Sequence, residues 1–442
     1  MKHLLGAVFF TIVSPLAAPG LTIAEALNRT LQNNPHVLQA RVAVEQASGH
    51  RLVFRSLALP NFALDVPVGV QGGSRAGEPA VQPFAFAQGD LRQPLFQAGI
   101  PASLRRGDLE VLIAAQQLNV VLVEQLHTAR LAFYTALYDR ALEELGRSQR
   151  QRLDENIRGE EARYQAGTVD RGALASATLQ ARELDPQIDE AHHAYGAAIL
   201  QLAAALGESL GAGAKLPSPE GTLHFAAVDF ALEKETGSAL DRRADLRLAR
   251  LLVRAAREDQ RLTAAGYYPR IDLTVFGRYI PLTNLREASS GSANRSNDIV
   301  TSEISPGASY TWRVIDDGSV AGAVLRQRSL REINELQLQK LEASVGRTLA
   351  GLQNNFRAIA TRHDSLGKSI ALAEKNVGAV EQSRQQGLAS QLEFRTAETE
   401  LLATRRGLLD TAYQQNVALA EWDRATGRYF QFTEDSSRRP KE

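Results

Sequence analysis

The feature that most constrains this chain is that it is written twice. HVLQARVAVEQASGHRLVFRSLALPNFALDV, from His36, aligns with DLRLARLLVRAAREDQRLTAAGYYPRIDLTV, from Asp245. Ala40/Ala249, Arg41/Arg250, Val44/Val253, Ala47/Ala256 and Pro60/Pro269 coincide at an offset of 209. QPLFQAG, ending at Gly99, matches WRVIDDG, ending at Gly318. YQAGTVDRGALASATLQ, from Tyr164, and SRQQGLASQLEFRTAETELL, from Ser383, place Gly167 and Gly387 at an offset of 220. Each match is short, but all occur in one order, and collinear self-similarity marks a duplicated supersecondary plan. The extra length of the second copy falls in one polar loop, Leu285 to Asn297.

Each copy reads helix, strand, loop, strand, long helix, break, long helix. Residues 35–57 have helical periodicity. Phe62, Leu64, Val66, Val68 and Val70 then alternate with small or polar residues. Period 2 defines a strand with one apolar face. QGGSRAGEP follows as a loop, and a weaker strand is expected from Phe84 to about Leu95. In the second copy Ile271, Leu273 and Val275 alternate with Asp272 and Thr274. Their partner strand carries Ala308, Tyr310, Trp312 and Val314.

The long helices carry a different period. From Leu338 the apolar stripe runs Leu341, Val345, Leu349, Leu352, Phe356, Ile359, His363, Leu366, Ile370, Ala373, Val377, Val380. Alternating steps of 3 and 4 are a left-handed coiled-coil seam. Val111, Ala115, Leu118, Leu122, Leu126, Ala129, Phe133 and Leu137 form its counterpart. A helix from Pro101 to Gly167 would be about 100 Å long. Glycine tolerates φ > 0 and ends such helices, so the two glycines mark the tips of two matching hairpins. Pro186 lies inside a returning helix and is expected to kink it.

The N-terminus reads as a cleaved signal peptide, residues 1–20: Lys2 and His3, the apolar run Leu4 to Val13, then Ala18-Pro19-Gly20. No later stretch is expected to cross a membrane as a helix. A membrane role then falls to the strands, which are long enough when tilted. Lipid tolerates no open sheet edge, and small barrels need about eight strands. If these strands cross a membrane, four cannot close a barrel and several chains must share one; the other reading is a soluble four-stranded sheet capped by helices. The lipid-facing set is Phe62, Leu64, Val66, Ile271, Leu273, Val275, Tyr310 and Trp312.

The 50 basic and 50 acidic residues balance, which gives no footprint for nucleic acid. The chain has no cysteine, which excludes disulfides, thiolate metal sites, cysteine catalysis and a lipidated cysteine. LGKS, Leu366 to Ser369, lacks the first glycine of a phosphate loop, since Arg362 stands there. His192 and His193 are adjacent and cannot chelate as an i, i+4 pair would; His363 reads as a packed seam residue. No catalytic residue, cofactor or metal site emerges, so the chain is not expected to be an enzyme.

LTIAEALNRTLQNNPHV, the strand entries at Pro60 and Pro269, LFQAG and VIDDG, the two tip motifs and ALAEWDRATG together resemble the TolC-like outer membrane efflux protein family. The resemblance spans Leu21 to about Phe430. It implies an α+β membrane protein, a homotrimer whose chains share a twelve-stranded β-barrel above a periplasmic helical tunnel. It also implies an exit duct, in efflux or type I secretion, from the outer membrane of a Gram-negative bacterium, without a lipid anchor. The implied partners are outer membrane lipid, a periplasmic adaptor and an inner-membrane pump of RND, ABC or MFS type. The docking tips map to Gly167, Thr168, Val169, Gly387, Leu388, Ala389 and Ser390. The periplasmic gate maps to Asp170, Arg171, Arg384, Glu393 and Arg395. The chain departs from the family's gate pattern at Gly172-Ala173, at Ala389, where relatives carry Arg, and at Thr396. The implied layout is a first repeat over 21–215, with a strand pair near 60–95 and a hairpin over 101–207. A linker at 216–235 leads to a second repeat over 236–430, with a strand pair near 269–315, a hairpin over 320–427 and a tail from 431. A periplasmic adaptor or an envelope coiled-coil protein are the alternatives; neither calls for duplicated hairpins together with alternating strands.

Overall fold

A computed structural model describes residues 20–72, 81–209, 216–279 and 302–431. The signal-peptide run and both loops between paired strands lie outside the described residues. The chain divides into two compact units, each assembled from three stretches.

One unit comprises Gln39–Val121, Glu233–Thr348 and Thr426–Glu442. It holds the strands β1 (Asn61–Asp65), β2 (Val68–Gly72), β3 (Val81–Ala85), β4 (Ala87–Gln97), β5 (Arg270–Tyr279) and β6 (Ser302–Thr311). The main sheet is antiparallel in the order β1-β4-β5-β6, and β2 and β3 form a separate two-stranded ribbon. Register places paired residues on the same side. Phe62, Leu91, Val275 and Pro306 therefore form one row, and Leu273 stands beside Ala308. The opposite side carries Asp65, Gln88, Arg278 and Glu303 in one row and Arg92 and Thr274 in another. A β-bulge between Pro94 and Phe96 brings Phe96 opposite Ile271, on the apolar side.

The first copy departs from the expected strands. Val66 and Pro67 separate β1 from β2, so its outgoing strand is two short pieces. The return strand starts as β3 at Val81 and continues as β4 from Ala87, where one weaker strand from Phe84 was expected. In the second copy β6 ends at Thr311. Trp312 and Val314 thus follow the strand, and the Trp312 indole N–H donates to Tyr267 O at 3.2 Å.

Helices flank this sheet in the same order as its strands. Parts of α2 (Pro35–Ser56), α3 (Ile100–Gln165), α7 (Ala244–Ala264) and α8 (Ser319–Gln385) belong to this unit. Ser103 Oγ donates to Phe54 O at 2.8 Å, joining α2 to α3. Leu109 and Ile113 pack on Ala255, and Arg105 Nε donates to Glu258 Oε2 at 3.0 Å, joining α3 to α7. Arg250–Glu342 at 3.0 Å and Arg257–Glu335 at 3.1 Å join α7 to α8.

The other unit comprises Met1–Leu38, Leu122–Leu232 and Leu349–Ala425. It contains α1 (Ile23–Asn33), α4 (Arg171–Arg182), α5 (Asp185–Leu206) and α9 (Gln391–Thr426), the remainders of α3 and α8, and the first residue of α6 (Leu232–Arg242). Every stripe residue from Leu341 to Val380 along α8 is buried or half-buried. On α3, Leu126, Phe133 and Leu137 are buried. One stretch of α3 is long and apolar enough to cross a membrane by length and composition alone, which corrects the expectation that no such stretch exists. Part of the apolar surface of α3 packs in helical cores, at Leu109 and Ile113 on Ala255 and at Phe133 and Leu137 on Leu202 and Leu206.

The segment after residue 215 has no regular structure through residue 231, apart from a bridge between Leu21 and Pro219. It is pinned to helices through backbone oxygens. Arg140 donates to Pro219 O at 2.6 Å, Gln415 to Ala226 O at 2.6 Å and Gln353 to Phe230 O at 3.1 Å. Trp422, fully buried, stacks on Phe230 with centroids 4.2 Å apart and meets Phe356 edge-on. His363 stacks on Phe225 at 3.7 Å and shares a hydrogen bond with Thr411 Oγ1 at 2.8 Å, so it is packed as its stripe position implied.

Candidate functional site

The two tips share one backbone. α3 ends at Gln165 and Gly167 turns with φ 72°; α8 ends at Gln385 and Gly387 turns with φ 73°. In the first tip Gly167 N donates to Tyr164 O and Thr168 N to Arg163 O, both at 3.0 Å. In the second, Gly387 N donates to Arg384 O at 3.0 Å and Leu388 N to Ser383 O at 2.8 Å. Both are the glycine-terminated cap that satisfies the last helical carbonyls. A Cβ at either glycine would meet nothing within 4 Å, so only backbone conformation requires glycine there.

The restarts use different caps. Asp170 Oδ1 accepts from Ala173 N at 2.9 Å and starts α4. At α9, Ser390 Oγ accepts from Glu393 N at 3.2 Å, while Glu393 Oε2 accepts from Ser390 N at 2.6 Å and from its hydroxyl at 3.0 Å. This is a reciprocal capping box. The bonds from the Ser390 backbone and hydroxyl hold the exposed Glu393 carboxyl below its ordinary pKa. Leu388 and Leu392 are exposed beside this cap, as are Thr168 and Arg171; Val169 and Ala389 are half-buried.

Arg384 is the centre of the second tip. Only 8% exposed, it forms an ion pair with Glu160 of α3, which is 2% exposed. Its guanidinium also meets both Glu381 oxygens at 3.0 Å, donates to Gln391 Oε1 at 3.0 Å and lies 4.7 Å over the Phe394 ring. One side chain thereby ties α3, α8 and α9. Arg163 adds a contact to Glu160 at 3.3 Å. Arg395 reaches Glu183 at 2.7 Å, joining α9 to the end of α4. Of the five residues expected at a gate, Arg384 and Arg395 make bonds between helices. Asp170 and Glu393 cap helices, and Arg171 is exposed.

Glu160 was not singled out in the sequence. It lies seven residues before a tip glycine among other charges, and only the fold shows that it is buried. The signal that could have found it is its place on the inner stripe of α3, four residues after the buried Asn156.

The second site is the apolar sheet side. Phe62, Leu64 and Tyr310 are more than 60% exposed, and Leu273 is exposed too. Ile271 and Val275 are half-buried on the same side. Val66, between strands, and Trp312, after β6, are exposed but lie outside the ladder.

The chain is similar to the VceC outer membrane protein of Vibrio cholerae, 17% identical over 92% of this chain and 96% of that one, with a TM-score of 0.77. It is similar to the CmeC outer membrane channel of Campylobacter jejuni, 14% identical over 94% and 87%, TM-score 0.77. It also resembles the open state of the MtrE outer membrane channel of Neisseria gonorrhoeae, 17% identical over 92% and 88%, TM-score 0.72. No curated protein sequence matches significantly. The model of the outer membrane efflux protein family matches residues 236–428, which hold the second repeat.

Proposed function

We propose that the protein is the outer membrane exit duct of a tripartite efflux or type I secretion system in a Gram-negative bacterium. Three chains close a twelve-stranded barrel, and their helices form the periplasmic tunnel. The observation that carries this reading is the sheet: a largely apolar side across strands of both repeats, interrupted at Gln93, an opposite side with Asp65, Asp90, Arg92, Arg278 and Glu303, and edges at β1 and β6 that have no further strand partner among the described residues. In water such a side costs about 25 cal/mol for each Å² exposed. In a bilayer it is the outer wall, and the charged side lines a wet lumen.

The tips around Gly167, Thr168, Val169, Gly387, Leu388, Ala389 and Ser390 receive the periplasmic adaptor and face the pump. The protein works as a passage and not as an enzyme, without cofactor or lipid anchor. Arg384 and Arg395 serve as the periplasmic gate, because both hold neighbouring helices together near the tips. Asp170 and Glu393 shape the mouth by fixing where α4 and α9 begin.

Surface labelling tests the reading. An epitope inserted at Ser290, between β5 and β6, is expected to be accessible on intact cells. Labelling that requires permeabilisation would remove the barrel. Export measured beside adaptor crosslinking then tests the tips: Gly387→Arg is expected to keep assembly and lose both. Normal crosslinking and export would contradict docking at the tips.

A further inference from the structure

A cavity of about 380 Å³ lies between α3 and α7, in the unit that holds the sheet. On the α3 side it is lined by Arg105, Asp108 and Leu109. Steps of 3 and 4 put these on one helix face. On the α7 side it is lined by Arg254, Arg257, Glu258 and Arg261, at the same spacing. Two facing stripes therefore bring four guanidiniums to one cleft. Leu109, buried against Ala255, gives the cleft an apolar floor.

The carboxylates do not balance these charges. Glu258 is buried, and both of its oxygens are taken. Its Oε2 accepts from Arg105 Nε at 3.0 Å and lies 2.9 Å from Arg105 Nη2. Its Oε1 accepts from Arg261 Nη1 at 2.5 Å. One carboxylate thus holds two guanidiniums side by side, one from each wall. Arg257 Nη2 donates to Glu335 Oε1 of α8 at 3.1 Å. Arg254 makes no hydrogen bond or ion pair among the described residues. Asp108, which is exposed, is the other carboxylate of the lining. Positive charge is in excess, and every guanidinium keeps N–H donors that these bonds do not use. Beside an apolar floor the local dielectric is low, which strengthens an ionic contact.

We propose that this cleft binds a phosphate group, carried by a lipid headgroup or free in solution. The planar fork of a guanidinium matches two phosphate oxygens at once. A volume of about 380 Å³ suits a ligand of headgroup size. Position along the helices suits the lipid source. α3 begins at Ile100, just after β4 ends at Gln97, and α7 leads into β5 through one short turn. Arg105 and Arg261 therefore lie about 8 Å and 5 Å from the helix ends that meet the sheet. The headgroup layer of a bilayer is about 5–8 Å deep. The lipid source rests on the reading of the sheet as a membrane wall; the cleft and its charges do not.

Arg254→Gln tests the cleft, because this guanidinium holds no other described residue in place. The full-length protein is purified in a neutral detergent without phosphate and studied at low salt. Native mass spectrometry reads the binding of phosphatidylglycerol, and isothermal titration calorimetry reads that of inorganic phosphate. Arg254→Gln is expected to weaken binding about tenfold, the scale of one charge-assisted hydrogen bond. Arg247→Gln, at an exposed arginine of α7 outside the cleft, is expected to leave binding unchanged. A loss for phosphatidylglycerol alone assigns the lipid headgroup, and a loss for inorganic phosphate alone assigns the free anion. A loss for both shows that the phosphate itself is recognised. No binding of either ligand to the wild-type protein, equal binding by Arg254→Gln, or an equal loss in Arg247→Gln would overturn the site. Phosphate bound in the cleft of a protein absent from outer membrane fractions would remove the barrel reading and leave the site standing.

Discussion

The two repeats agree at their ends and differ midway. Their tips share one turn, and strands from both contribute to the apolar sheet side. Between these places the first repeat is interrupted twice where the second is continuous. Pro67 lies in the break between β1 and β2, whereas β5 runs unbroken from Arg270 to Tyr279. Pro186 stands in the first turn of α5, three residues after the α4 C-cap Glu183 and two after the α5 N-cap Leu184, whereas α9 is one helix from Gln391 to Thr426. Even the hairpin seams are built inversely. Gly146 on the outgoing α3 faces Ile188 on the returning α5, while Leu366 on the outgoing α8 faces Gly407 on the returning α9. The same space is filled from opposite sides. The tip turns and the apolar sheet side are held in common, and features that only fill a seam are free to be redistributed.

The largest expected effect breaks the likeness of the tips. Arg384→Ala leaves buried Glu160 with only its contact to Arg163, and losing one member of a buried pair costs about 3–5 kcal/mol. The position at the same offset in the first tip is Tyr164, which is 43% exposed. Tyr164→Ala is expected to change stability by under about 0.5 kcal/mol, as surface substitutions usually do. Thermal unfolding of the two variants measures the contrast, and equal losses would show the tips to be built alike.

Next comes an exchange of the kink. Arg406→Pro places proline inside continuous α9, where it costs about 3 kcal/mol or more. Pro186→Ala removes proline from a break that Leu153, Ala181 and Leu184 already hold together. Its expected cost is about 0.4–1 kcal/mol, through the freer unfolded chain. A stabilising Pro186→Ala would mean that proline, and not packing, imposes the break.

The sheet sides should respond alike in both repeats. Leu64→Arg and Leu273→Arg are each expected to cost about 2–4 kcal/mol at the bilayer midplane. Ala63→Arg and Thr274→Arg, on the opposite side, should be much milder. Yield of assembled protein in outer membrane fractions measures this, and equal damage on both sides would reject the register as a lipid boundary.

The smallest effect concerns the caps. Ser390→Ala and Asp170→Ala each remove an N-cap, at about 0.5–2 kcal/mol. Only the second tip adds a pH dependence from Glu393. Its carboxyl is held below its ordinary pKa, so this contribution is complete above the unfolded value and is lost as pH falls through the folded one. A Glu393 carboxyl resonance that titrates at the ordinary value in the native protein would remove this contribution.

The duplication, both tip glycines and the α8 seam were legible because each rests on a local period or a required backbone angle. Pro186 also announced its break, since a missing N–H acts wherever the chain goes. The split between β1 and β2 was harder to read. The apolar alternation runs straight through Val66 and Val68, and period alone does not show where pairing changes. Trp312 and Val314 extended β6 for the same reason. The α3 stretch was misjudged because burial among helices and burial in lipid ask for similar side chains. Least legible was Glu160, whose burial depends on α8 arriving beside α3 from more than two hundred residues away.

The account's central claim is that this sheet is one part of a barrel shared between chains. Native mass spectrometry of the detergent-extracted protein tests it most directly. Three chains per particle, with no free monomer at equilibrium, is the predicted result; a stable particle of one chain, with β1 and β6 still open, would contradict it.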